Sequence, residues 1–195
     1  MKLYRKFNWP NFLTGLFRFD ILLSDLYFCY GHKCCGVCVC FIGGIVMQTF
    51  LTEFDFHANA KNLDYRRLGK QRVECKQILA ALHGDSGGWV NHPATKMWRG
   101  YEPALIAYAV AICWEWIERG YKDNLLPYFL DMQIRGKKNL ISSTYDAPWW
   151  FNPDIPISHA LIMSHRSNLI RKDPDYYSVK WPELDSDLEY VWPAK

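Results

Sequence analysis

Much of what usually announces a function is missing from these 195 residues. There is no G-x-x-x-x-G-K-[ST] or G-x-G-x-x-G loop, so nothing predicts a cradle for nucleotide phosphates. H-E-x-x-H and G-x-S-x-G are absent too. The six histidines fall without metal-ligand spacing, which argues against a catalytic zinc and against a serine-hydrolase triad. Long hydrophobic runs are also lacking. The stretch between Lys33 and Glu53 is mostly apolar only from Cys34 to Met47, short of the roughly 20 residues that a membrane-crossing helix needs. The N-terminal apolar runs are broken by Arg18, Asp20 and Asp25 and lead to no A-x-A-like cleavage site. The expectation is a soluble, cytoplasmic protein without a membrane partner. Charge of one sign is scarce as well, the net formal charge being +3. Residues 1–46 hold five bases (Lys2, Arg5, Lys6, Arg18, Lys33) against two acids (Asp20, Asp25), which is the whole excess. From residue 47 onward acids and bases balance. Any nucleic-acid function must therefore come from how charge is arranged.

What is present divides at the same place. Half of the residues are apolar and 22% are charged, the balance of a globular domain, and the length suits one such domain. Residues 1–46 are aromatic and without period, and they hold five of the seven cysteines (Cys29, Cys34, Cys35, Cys38, Cys40). Cys35-x-x-Cys38 with His32 nearby has the look of half a zinc or redox site, yet no second Cys/His pair follows at matching spacing. This part is expected to be a poorly ordered extension, or to lie ahead of a translation start at Met47. Cys75 and Cys113 sit in apolar stretches as small buried hydrophobes.

Patterning becomes orderly after Met47. From Asn59 to Leu82, Leu68, Cys75, Ile78, Leu79 and Leu82 form one stripe at a period near 3.6, and Arg67, Lys70, Gln71 and Glu74 form the opposite face. His92-Pro93 to Arg99 is a short segment that can open another helix. Pro103 to Arg119 is apolar nearly all round, between a Glu102-Pro103 start and a Gly120 stop, as expected of a central helix with Trp114 and Trp116 in the core. Residues 122–151 read as loops because of Pro127, Gly136 and Pro148. A last helix is predicted from Ser158, as N-cap, to Arg171, with Ala160, Leu161, Ser164, Asn168 and Leu169 inward. Its outer side is basic through His165, Arg166, Arg171 and Lys172, and Pro174 ends it. The fold class is all-α: a compact single domain, 47–195, of three main helices with long irregular connections, plus the poorly patterned N-terminal extension.

Glu74 stands out as a carboxylate among Arg66, Arg67, Lys70 and Arg72. A solvated helix face with a Lys70–Glu74 i,i+4 pair explains it without function. Alternatively the bases grip phosphates. A carboxylate placed among them costs DNA binding, and makes sense if it transfers a proton or stabilises a developing cation.

At these residues the sequence from Met47 onward resembles the pyrimidine dimer DNA glycosylase family, the phage-type endonuclease V of ultraviolet repair. Leu68 followed six residues later by Glu74 is similar to that family's first-helix Leu and catalytic Glu. Asn91-His92-Pro93-Ala94-Thr95-Lys96-Met97-Trp98 resembles its Gly-His-led segment, and Glu118-Arg119-Gly120-Tyr121 the end of its central helix. Asp154-Ile155-Pro156, Ser164-His165-Arg166, and Tyr176, Tyr177 and Trp181 resemble its C-terminal third. The resemblance implies a monomeric glycosylase with AP lyase activity on damaged double-stranded DNA, needing no metal or organic cofactor. Its nucleophile is a main-chain amine, which displaces the base at C1′ and leaves a Schiff base. An α-amine suits this because its pKa of about 7.7–8.0 leaves far more of it neutral at pH 7 than a lysine at about 10.4. The implied catalytic residues are Glu74 and Met47. Arg66, Arg67, Lys70, Gln71, Arg72, His92, Lys96 and Arg99 are the DNA-contact candidates. Trp149 and Trp150 divide between packing and stacking on bases.

The sequence departs from the family where its amine belongs. The matching Met47 is internal, and Gln48 does not favour removal of a preceding Met. Arg67 stands where the family has His. With residues 1–46 retained, another amine such as that of Lys70 has to serve. Two alternatives stay open: a non-catalytic DNA-binding module on the same scaffold, and a small metal-binding protein centred on Cys34–Cys40.

Overall fold

A computed structural model of the chain describes residues 47–85, 89–139 and 147–193, all of which fall in one unit, Gly43–Lys195. The expectations for residues 1–46, including Cys34–Cys40, lie outside the described residues. Among the described residues there are seven helices and no strand. They are α1 (Phe56–Asn62), α2 (Tyr65–His83), α3 (Pro93–Trp98), α4 (Glu102–Glu118), α5 (Leu126–Asn139), α6 (Pro156–Lys172) and α7 (Pro174–Tyr177). None is long and apolar enough to cross a membrane.

The all-α class holds, with more elements than the three expected. The run predicted from Asn59 divides because the Asp55 side chain caps α1 and that of Asp64 caps α2, receiving the Arg66 and Arg67 N–H groups. At the far end of α2, Gly84 takes a positive φ of 84° and closes the helix. Residues 126–139 are helical rather than loop. Pro127 falls in the first turn, where no N–H is required, and Asp123 Oδ1 accepts from the N–H groups of Leu125 and Leu126. The last helix begins at Pro156, so Ser158 is a buried residue inside it and not its cap, and Ala160 is exposed.

α4 is central, packing against α1, α2 and α5. Its first three turns bury Ala104, Leu105, Ile106, Tyr108, Ala109, Ala111, Ile112 and Cys113. Its last turn does not follow the expectation: Trp114 is 45% exposed. Trp116 is half-buried, stacked on Tyr121 at 4.1 Å and lying under the Arg72 guanidinium. The greatest surprise is His165. Expected on a basic outer face, it is fully buried, edge-on to Phe50, Tyr190 and Trp192.

Candidate active site

The residues ahead of α1 are the key to the site. Met47 to Thr52 are all buried although three of the six, Gln48, Thr49 and Thr52, are polar. Buried polar groups need partners, and helices from across the domain supply them. Leu51 N–H donates to His165 Nδ1 at 3.0 Å, Trp98 Nε1 to Thr49 Oγ1 at 2.8 Å, and Arg166 Nε to the Thr52 carbonyl at 2.8 Å. The Tyr108 hydroxyl donates toward the Phe50 carbonyl at 2.8 Å. Gln71 on α2 closes the set. Its Oε1 accepts from Phe50 N–H at 3.0 Å, and its Nε2 donates to the Gln48 carbonyl at 2.7 Å and to Glu74 Oε2.

This segment covers the face of α2 that an isolated helix would leave in water. Gln71 is 0% and Glu74 3% exposed, so the solvated-face explanation fails for both. Glu74 sits at the edge of a cavity of about 300 Å³ between α2, the Gln48–Phe50 stretch, the end of α6 and Tyr190. Arg66, Arg67, Lys70 and Lys172 also line it. Lys70 Nζ is 3.5 Å from Glu74 Oε1. Burial pushes the Glu74 carboxyl up to about 7, against the opposing pull of Lys70 and of the Gln48 backbone. The group is thus divided between acid and base near neutrality, as proton transfer requires.

The four cations are not equivalent. Arg67 is committed, pairing with Asp64 and Asp173 at 3.2 Å each and donating to the Lys172 carbonyl at 2.8 Å. Arg66 and Lys70 are exposed and reach solvent. Lys172, the last residue of α6, has its ammonium pKa lowered, first by burial and then by Lys70 and Arg67, with Glu74 opposing.

The predicted residues therefore separate into two groups. Glu74, Gln71, Arg66, Arg67 and Lys70 come together around one cavity, with Met47 one residue from its wall. Arg72 is elsewhere: it is bonded to the buried Asp123 and stacked on Trp116. His92 caps α3 through Nδ1, and Arg99 reaches the Val90 carbonyl. Lys96 is exposed on α3. None of these four lines the cavity. Trp150 is buried, its Nε1 donating to the Met97 carbonyl, and Trp149 is half-buried. Sequence reasoning missed Gln48, Phe50, Lys172 and Tyr190 as cavity residues. The run of polar residues in Gln48-Thr49 beside Phe50-Leu51 was the available signal, since a surface strand would not need both. Among the described residues no group of three or more His, Cys, Asp or Glu could hold a metal.

Residues 47–127 match the family model described as pyrimidine dimer DNA glycosylase. The match begins at Met47 and includes Glu74 and the first three cations, while Lys172 and Tyr190 lie beyond it. No curated protein and no solved structure matches the chain. The matched segment covers less than half of the chain and carries the first of the sequence blocks that resemble that family.

Proposed function

We propose that the chain excises ultraviolet pyrimidine dimers, or a related damaged base, from double-stranded DNA and cleaves the abasic product as a lyase. One observation carries this proposal above the others: a nearly buried carboxylate poised near neutrality, at the wall of a cavity rimmed by exposed cations. The cations supply phosphate attraction, and the cavity is a place for an extruded nucleotide to enter. Glu74 then stabilises the cationic sugar as the glycosidic bond breaks, and moves protons to and from the reacting groups.

The nucleophile in this scheme is an amine beside Glu74. The Gln48 backbone faces that carboxylate, and the Met47 nitrogen lies one residue back, within about 4 Å of the Gln48 nitrogen. A chain beginning at Met47 would present its α-amine there. The amine attacks C1′, the base leaves, and the imine that forms acidifies the C2′ proton. Loss of that proton expels the 3′ phosphate and cuts the strand.

Glu74→Gln tests the scheme. It keeps the shape and removes the ionisable group, so base release is expected to fall by at least ~100-fold while DNA binding holds or tightens. Unchanged strand cleavage would rule the mechanism out. A DNA-binding module without catalysis predicts no base release from either protein.

A further inference from the structure

In a chain whose residue 47 is internal, the Met47 nitrogen is an amide and cannot act as the nucleophile. Two lysines line the cavity beside Glu74. Lys70 is held by Glu74 at 3.5 Å, and its side chain is 57% exposed. Lys172 is exposed as well but differs in its partners. Its ammonium makes no ion pair or hydrogen bond among the described residues, yet its backbone is fixed, because Arg67 Nη2 grips its carbonyl oxygen at 2.8 Å. It ends α6 at the cavity lining.

We infer that Lys172 is the amine that forms the Schiff base when residues 1–46 are present. The inference rests on the glycosylase-lyase proposal above and names the second residue of its chemistry. The electrostatics agree. Burial, Lys70, Arg67 and Arg171 all disfavour a proton on Lys172, and Glu74 favours one. The α6 C-terminal dipole also favours the proton, but the net direction is downward. Desolvation beside another cation is the usual way a lysine becomes nucleophilic at neutral pH.

The step balances without an external oxidant or reductant. Neutral Nζ adds to the C1′ aldehyde of the ring-opened abasic sugar, forming a C–N bond. The carbinolamine hydroxyl takes a proton and departs as water, leaving an iminium. The Glu74 carboxylate removes the C2′ proton, and the electron pair released expels the 3′ phosphate. Water then hydrolyses the unsaturated imine and returns Lys172 as the free amine.

The test uses the full chain, Met1–Lys195, with its mass confirmed, on a duplex carrying one abasic site. Borohydride reduces the imine to a secondary amine, and peptide mass spectrometry locates it. The expected result is an adduct on Lys172, with the trapped fraction lowered by at least ~10-fold in Lys172→Arg, which keeps the positive charge. Mapping of the unmodified protein needs no variant, so a folding defect cannot mask the answer. An adduct on Lys70, on another lysine or on the Met1 amine would overturn the assignment and leave the glycosylase-lyase proposal standing. So would an adduct only on the α-amine of a chain starting at Met47. No adduct and no strand cleavage from either chain would overturn both.

Discussion

The Gln71 carboxamide donates to the Glu74 carboxylate one helical turn further along α2. The same nitrogen also holds the Gln48 carbonyl at 2.7 Å. One neutral side chain thus ties the chain segment around Met47 to the acid proposed to work with its amine. Gln71→Leu leaves the Phe50 N–H and the Gln48 carbonyl buried without this partner. We expect a loss of about 2–4 kcal/mol in stability by urea denaturation. Base release should fall further than stability alone explains, because Glu74 loses its orientation.

Glu74 and His165 give opposing pH slopes to stability. Burial raises Glu74 to about 7 from 4.5, so the folded protein binds more protons than the unfolded one between those values, and stability falls as pH rises. Burial lowers His165 to about 3 from 6.5, so its contribution is fully present above pH 6.5 and is lost as pH falls toward 3. Between pH 4.5 and 6.5 the two nearly cancel. Glu74→Gln removes one slope, so the variant should gain about 2–3 kcal/mol over that window as pH rises, where the parent stays flat. Denaturant titrations at pH 4.5, 5.5 and 6.5 would show it, and parallel curves for both proteins would contradict it.

Arg66 and Arg72 should behave in opposite ways. Arg66 is exposed at the cavity, whereas Arg72 pairs with Asp123, whose side chain is 1% exposed. Arg66→Ala is expected to weaken DNA binding and to lower the log–log salt slope by about 1, with stability unchanged. Arg72→Ala should leave that slope alone and cost about 2–4 kcal/mol, since it strands a buried carboxylate.

Gly69 sits mid-helix, where alanine is normally favoured by about 1 kcal/mol. A Cβ there would meet the Trp116 ring at 3.0 Å. That ring cannot retreat freely, being stacked on Tyr121, covered by Arg72 and bonded through Nε1 to the Lys122 carbonyl. Gly69→Ala should therefore destabilise by about 1–2 kcal/mol, measured as a lowered Tm.

α2 and α4 were legible in the sequence because their stripes, the Glu102-Pro103 start and the Gly120 stop all rest on local backbone chemistry. α5 is obscured because Pro127 reads as a break, although a proline in the first turn opens a helix as readily. Periodicity tells which residues share a face, not what lies against it. Hence Trp114 was expected in the core and His165 on the surface. Glu74 was found by its unusual neighbours in sequence. Its burial depends on a segment 26 positions upstream, and Lys172 reaches the cavity from 98 positions downstream. No local pattern encodes such long-range meetings.

The most direct measurement is base release from a duplex carrying a single cyclobutane pyrimidine dimer, comparing the full chain with Glu74→Gln at pH 7. The proposed mechanism predicts release by the parent protein, and none above background by a variant that still binds the duplex. Equal release by both, or binding without release by the parent, would contradict it.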